Sequence, residues 1–276
     1  MEPSNKISEK EIIESIKRSG YLLESQITKE LVKKGFFVES NITSFDPLTN
    51  KSREIDLQAE YNYDWIGKAD QKAAARTKFI FEIKNNNFPL VLLTTFEYSP
   101  DSFIWNGLKT YQTFPPKVQD IYFSSYYEVL FGKDKKQMFT QYCSFSKKKN
   151  EELMAHHPDN IYSSLSKLTM YCEECAESNK NNLANSEEKY FRNFLYLPIL
   201  LINDDLYQLE LIENDTTKLT KVDYSRLVFN YHYKQRHCSS IVYVITKHGL
   251  DLLLNEILEA EKVVETEMIK VLQDVA

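Results

Sequence analysis

Two apolar runs in this chain carry charges where a sheet should be greasy. Lys78-Phe79-Ile80-Phe81 leads into Glu82-Ile83-Lys84, and Arg53-Glu54-Ile55-Asp56-Leu57 holds Asp56 in its middle. β-branched and aromatic residues dominate both runs, so both read as strands, whose successive side chains point to opposite faces. Phe79, Phe81 and Ile83 then share one face, and Ile80, Glu82 and Lys84 the other. In the upstream strand Ile55, Leu57 and Ala59 oppose Glu54, Asp56 and Gln58. If the two strands pair, Asp56 joins Glu82 and Lys84. Converging carboxylates repel each other unless a cation sits between them, and hard oxygen ligands of this kind suit Mg²⁺. A lysine beside them suits an anionic substrate.

A third acid lies upstream. From about Gly20 to Lys34 the spacing of Tyr21, Glu24, Ile27 and Leu31 places them on one helical stripe, so Glu24 is a charge on a face that should be buried. The helix Gly20 to Gly35, the strand Phe36-Phe37-Val38-Glu39, the strand around Asp56 and the segment Phe81-Glu82-Ile83-Lys84 follow one another in an order that resembles the PD-(D/E)XK nuclease superfamily. That superfamily includes type II restriction endonucleases, Mrr-like enzymes and archaeal Holliday-junction resolvases. The resemblance covers about the first third of the chain closely, and the rest only through the order of predicted elements.

The resemblance implies an α/β, restriction-endonuclease-like fold, with a mixed central sheet flanked by helices. It implies a Mg²⁺-dependent endonuclease, with Mn²⁺ able to substitute, that hydrolyses phosphodiester bonds, in DNA before RNA, in restriction or defence. Carried over residue by residue, Asp56 and Glu82 are the metal-binding carboxylates and the Ile83 carbonyl is a further ligand. Lys84 is the lysine near the attacking water, and Glu24 the helix-borne acid. Two departures stand out: Ile55 replaces the proline that precedes the aspartate, and Tyr61 to Thr77 is longer than the short turn many members have. A different class of function stays open beside this one, a catalytically silent nuclease fold that binds nucleic acid or assembles a protein complex.

The formal net charge of −6 argues against a broadly basic nucleic-acid coat. Local basic surfaces are still available at Lys133, Lys135, Lys136 and Lys147 to Lys149, and near the proposed site at Lys29, Lys33, Lys34, Lys51 and Arg53. The aromatic stretch Lys109 to Tyr127 can stack on bases or pack an insert against the core. No run is long enough to cross a membrane, and Met1 to Lys6 lacks the apolar stretch of a signal peptide, so a cytoplasmic protein is expected. The four cysteines, Cys143, Cys172, Cys175 and Cys238, fit reduced thiols in that compartment. Cys172-Glu-Glu-Cys175 is one pair inside a predicted helix, short of the four ligands a structural zinc needs, and no thioredoxin-like strand-helix context surrounds it. No glycine-rich phosphate loop occurs.

The remaining pattern predicts helices over Ser8 to Lys17, Lys147 to His156 and Asn160 to Asn179. Strands are expected at Phe36 to Phe45, Arg53 to Tyr61, Lys78 to Lys84, Gln137 to Phe145, Phe194 to Ile202, Leu206 to Ile212, Tyr224 to Tyr233 and Ser239 to Ile245. The expected organisation is one domain, with a catalytic core over about 8–95 and 146–246 and an elaboration over about 96–145. A C-terminal helix follows over about 247–276. Its apolar stripe, Leu250, Leu253, Leu254, Ile257, Leu258, Val264, Met268, Val271 and Leu272, suits a lid on the sheet or a surface for a homodimer or partner protein.

Overall fold

The computed structural model describes residues 7–46, 51–61, 73–97, 108–109, 111–113, 137–149, 151–185, 191–212 and 216–275. Helices α1 (Glu9–Ser19) and α2 (Tyr21–Lys33) lead into strands β1 (Phe36–Asp46), β2 (Lys51–Tyr61), β3 (Ala73–Lys84) and β4 (Leu90–Glu97). Short strands β5 (Leu108–Lys109) and β6 (Gln112–Thr113) precede β7 (Gln137–Lys147) and β8 (Leu153–His156). Helix α3 (Asp159–Asn185) comes next, then β9 (Phe191–Ile202), β10 (Leu206–Ile212), β11 (Thr216–Val222), β12 (Tyr224–Tyr233), β13 (Arg236–Thr246) and helix α4 (Gly249–Val275).

Among the described residues the strands form a large mixed sheet in the order β1-β2-β3-β9-β13-β12-β7-β4-β10-β11. β2 lies antiparallel to β3 with Leu57 opposite Phe81, while β3 runs parallel to β9 along its whole length, from Ala73–Phe191 to Lys84–Ile202. β9 in turn lies parallel to β13 over Ile199 to Ile202. Buried on both faces, β9 reads as the continuous apolar run Leu195 to Ile202, as a central parallel strand should.

Helices cover both faces and give two cores. On one side α2 and α4 bury Leu23, Ile27 and Leu31 with Leu250, Leu254, Ile257 and Val264 against Phe79, Phe81 and Ile83. On the other, Ile161, Leu165, Leu168 and Cys172 of α3 pack on Ile80, Leu200 and Ile202. The stripe of α4 is thus used as a lid on its own sheet. In α2 the buried stripe is Leu23, Ile27 and Leu31; Tyr21, expected on it, is 67 % exposed.

Other expectations are corrected as well. Ile55 leaves the face of Leu57 and Ala59 and joins Ile42 in the second core. The paired strand β1 carries Asn41 at φ 53°, left-handed backbone, between these two regions, with its register to β2 the same on either side. Lys147 to His156 is not a helix. β7 continues to Lys147 and pairs antiparallel with β8, with Glu151 at φ 63° and the Lys148 amide donating to the Glu152 carbonyl. Strand β3 begins at Ala73, five residues earlier than Lys78, so the chain between β2 and β3 is shorter than expected; residues 62–72 lie outside the described residues. So do Lys133, Lys135, Lys136 and most of 96–136, while β7 runs inside the sheet between β12 and β4. Tyr111 from the aromatic stretch is buried in the second core, which favours packing over base stacking there.

Candidate functional site

The antiparallel ladder between β2 and β3 stops at Leu57–Phe81, and the chemistry sits just beyond its end. There the Ile83 amide, with no ladder partner on the β2 side, donates to Asp56 Oδ2 at 2.7 Å. Asp56 is therefore fixed by the backbone of the strand that carries Glu82 and Lys84. Glu82 is fully buried, and Lys84 Nζ donates to its Oε2 at 3.2 Å. Asp56, Glu82 and Lys84 line one open cleft of about 800 Å³ together with Thr43, Lys51, Arg53 and Ser164.

Glu24 does not line this cleft, yet its charge reaches it. Burial raises its carboxyl above the ordinary range, the Asp56 charge adds to the rise, and Lys84 opposes it. Glu82 is raised for the same reasons, burial first and the Asp56 charge second, with Lys84 and Lys167 pulling the other way. The placement of Glu24 comes from the joint between α1 and α2. Gly20 ends α1 at φ 93°, a left-handed conformation that favours glycine, and begins α2. The Asn85 side chain, one residue beyond Lys84, donates to the carbonyls of Lys17 and Arg18 at 2.9 and 3.1 Å. The C-terminal turn of α1, which leads through Gly20 into the helix bearing Glu24, is thereby tied to the end of the strand bearing Glu82.

The residue that sequence reasoning missed is Lys167, on α3. Its ammonium reaches Glu82 Oε1 and the Glu54 carbonyl oxygen, and lies 3.9 Å from Asp56 Oδ1. No spacing rule links residue 167 to 56 and 82, but one signal was present. Asn160, Ser163, Ser164 and Lys167 form a polar stripe at helical spacing on a helix that otherwise buries Ile161, Leu165 and Leu168, and all four line the cleft. Of the expected basic residues, Lys51 and Arg53 line the cleft as well, whereas Lys34 pairs with Asp251 at 2.8 Å.

Among the described residues no group of three or more His, Cys, Asp and Glu side chains is arranged to hold a metal ion. Asp56 and Glu82 are a pair, and their oxygens converge on a cation, the Lys167 ammonium. That donor set fits Mg²⁺, which is commonly held by one or two carboxylates and completes its shell with water and substrate phosphate. It does not fit a soft or structural metal. Cys172 and Cys175 are free thiols, with Cys172 buried in the second core. Among the described residues no helix is long and apolar enough to cross a membrane. Comparison of the chain with family models, curated proteins and solved structures finds no match, so the functional reading rests on these residues and their geometry.

Proposed function

We propose that the protein is a metal-dependent nuclease of PD-(D/E)XK type, hydrolysing phosphodiester bonds in DNA. The observation that carries this reading is the convergence of Asp56 and Glu82 on one cation position, with Lys84 beside them, in a cleft open to a large substrate. Asp56 and Glu82 would hold Mg²⁺ or Mn²⁺, which would supply charge against the phosphate and a more acidic water. In the reaction a water oxygen bonds to phosphorus, the bond to the 3′ oxygen breaks, and the proton passes to that leaving oxygen. Lys84 offsets the negative charge that grows on the phosphate oxygens. Asp56 is held by the Ile83 amide, so its second oxygen is oriented before any ligand arrives. Glu24 acts on the site through its charge from outside the cleft, and Lys51 and Arg53 extend positive charge along the cleft toward neighbouring phosphates.

One observation favours a second reading, that of a silent nuclease fold used for binding or assembly. The ammoniums of Lys167 and Lys84 together already balance the carboxylate pair, so the two charges have counter-ions without a metal. The two readings separate when purified protein is incubated with supercoiled plasmid, linear duplex, single-stranded DNA and RNA, each with Mg²⁺, Mn²⁺ or EDTA. Metal-dependent cleavage that disappears in Asp56→Asn and Lys84→Ala supports the nuclease. Binding without cleavage on every substrate supports the silent module.

A further inference from the structure

Three oxygens surround the Lys167 ammonium: Glu82 Oε1, Asp56 Oδ1 and the Glu54 carbonyl. Two carboxylates and a backbone carbonyl are the ligand types a hard divalent cation takes, and here a protonated amine holds their centre. A divalent ion cannot share that centre with the ammonium, because like charges a few ångströms apart in a partly buried site repel strongly. The side chain of Lys167 is 18 % exposed and opens into the cleft beside Ser163, Ser164 and Asn160, so its flexible stem has somewhere to go.

Building on the nuclease reading, we propose that Lys167 is the resident counter-cation of the carboxylate pair, and that a divalent metal enters only by displacing its ammonium into the cleft, where it meets substrate phosphate. Lys167 is then a positioning residue with two consequences. It keeps Asp56 and Glu82 together in the absence of metal, and it sets the metal concentration at which the site loads. The anionic substrate assists loading, since it offers the displaced ammonium a new partner.

The test is Mn²⁺ titration of wild type and Lys167→Met, read by calorimetry and by the rise in melting temperature, with folding of the variant checked by circular dichroism. Removing the competitor should tighten Mn²⁺ binding by about 10- to 100-fold, within the usual range of coupling between two sites. On the unaltered protein, acetylation of the Lys167 amine followed by peptide mass spectrometry should be faster with Mn²⁺ present than without it. Binding that is equal or weaker in Lys167→Met, or Lys167 labelling that stays the same or slows with Mn²⁺ bound, overturns the displacement and leaves the nuclease reading standing. Failure of both proteins to bind Mn²⁺ overturns the metal-dependent reading itself and the displacement with it.

Discussion

Asp56 serves two roles that substitutions can separate. Its Oδ2 accepts the only hydrogen bond available to the Ile83 amide on the β2 side of β3, because the ladder ends at Phe81. Its charge faces Lys167 and repels Glu82. Asp56→Ala removes a hydrogen bond to a charged acceptor, a loss of about 1.5–3 kcal/mol, and strands a partly buried amide. Relief of the repulsion with Glu82 returns part of that, so a net loss of about 1–2 kcal/mol is expected. For a chain of this size that lowers the melting temperature by roughly 2–8 °C. Asp56→Asn keeps a carbonyl acceptor for the Ile83 amide while removing the charge, and should melt within about 1 kcal/mol of wild type. Circular dichroism melts at pH 7 in EDTA decide the matter, with urea unfolding as a second measure. An alanine variant that melts at or above wild type, or an asparagine variant that falls as far as alanine, refutes the assignment of Asp56 as the partner of Ile83. The asparagine variant is accordingly the control for the proposed cleavage assay, since it removes the charge without loss of fold.

Gly249→Ala should be among the most damaging single-methyl additions. A Cβ there would collide with the Asp223 carbonyl, its carbon being 2.8 Å away, and that carbonyl is held by the Thr246 amide at 2.8 Å and cannot retreat cheaply. A loss of about 3 kcal/mol and a fall of at least about 6 °C are expected, and a melting temperature within about 1 °C of wild type would show the turn to be free to move. Burial pushes the Cys175 thiol up to about 11. At pH 8 its thiolate share is then about 0.1 %, against roughly a quarter for an ordinary thiol, and on that ratio iodoacetamide should label it about 250-fold more slowly. Labelling at the rate of an exposed thiol, followed by mass mapping, would contradict that burial.

The carboxylates were legible because a charge inside an apolar, alternating run has few explanations, and alternation alone put Asp56, Glu82 and Lys84 toward a common side. The joint that positions Glu24 was half visible: Gly20 marked a break, but the clasp from Asn85 to Lys17 and Arg18 is a tertiary contact that a run of asparagines does not announce. Glu151-Glu-Leu-Met-Ala155 has helix-forming composition, yet its Leu153 to Ala155 pair as a strand with β7, an instance of tertiary pairing overriding intrinsic preference. β4, unassigned from sequence, had its signal in Leu90-Val-Leu-Leu93, a short apolar run, buried through Leu92, that periodicity cannot classify. β11 is mostly exposed and polar, so it offered little alternation to read. Lys167 depended on how α3 lies across the sheet, which is knowable only from the fold.

Strand β3 has its parallel neighbour in β9, so Ala73 must wait for Phe191 and Lys84 for Ile202. At translation speeds of about 5–20 residues per second this is an interval of many seconds on the ribosome. During it the emerging polypeptide carries Glu24, Asp56, Glu82 and Lys84 but has neither the strand that completes their sheet nor, until α3 is made, the amine that meets Asp56 and Glu82. Pairings this distant along the chain also form slowly, and an unfilled apolar strand edge invites association with other chains. The cleft is thus a late product of synthesis, and a polypeptide stopped short of β9 holds the acids of the site without the site.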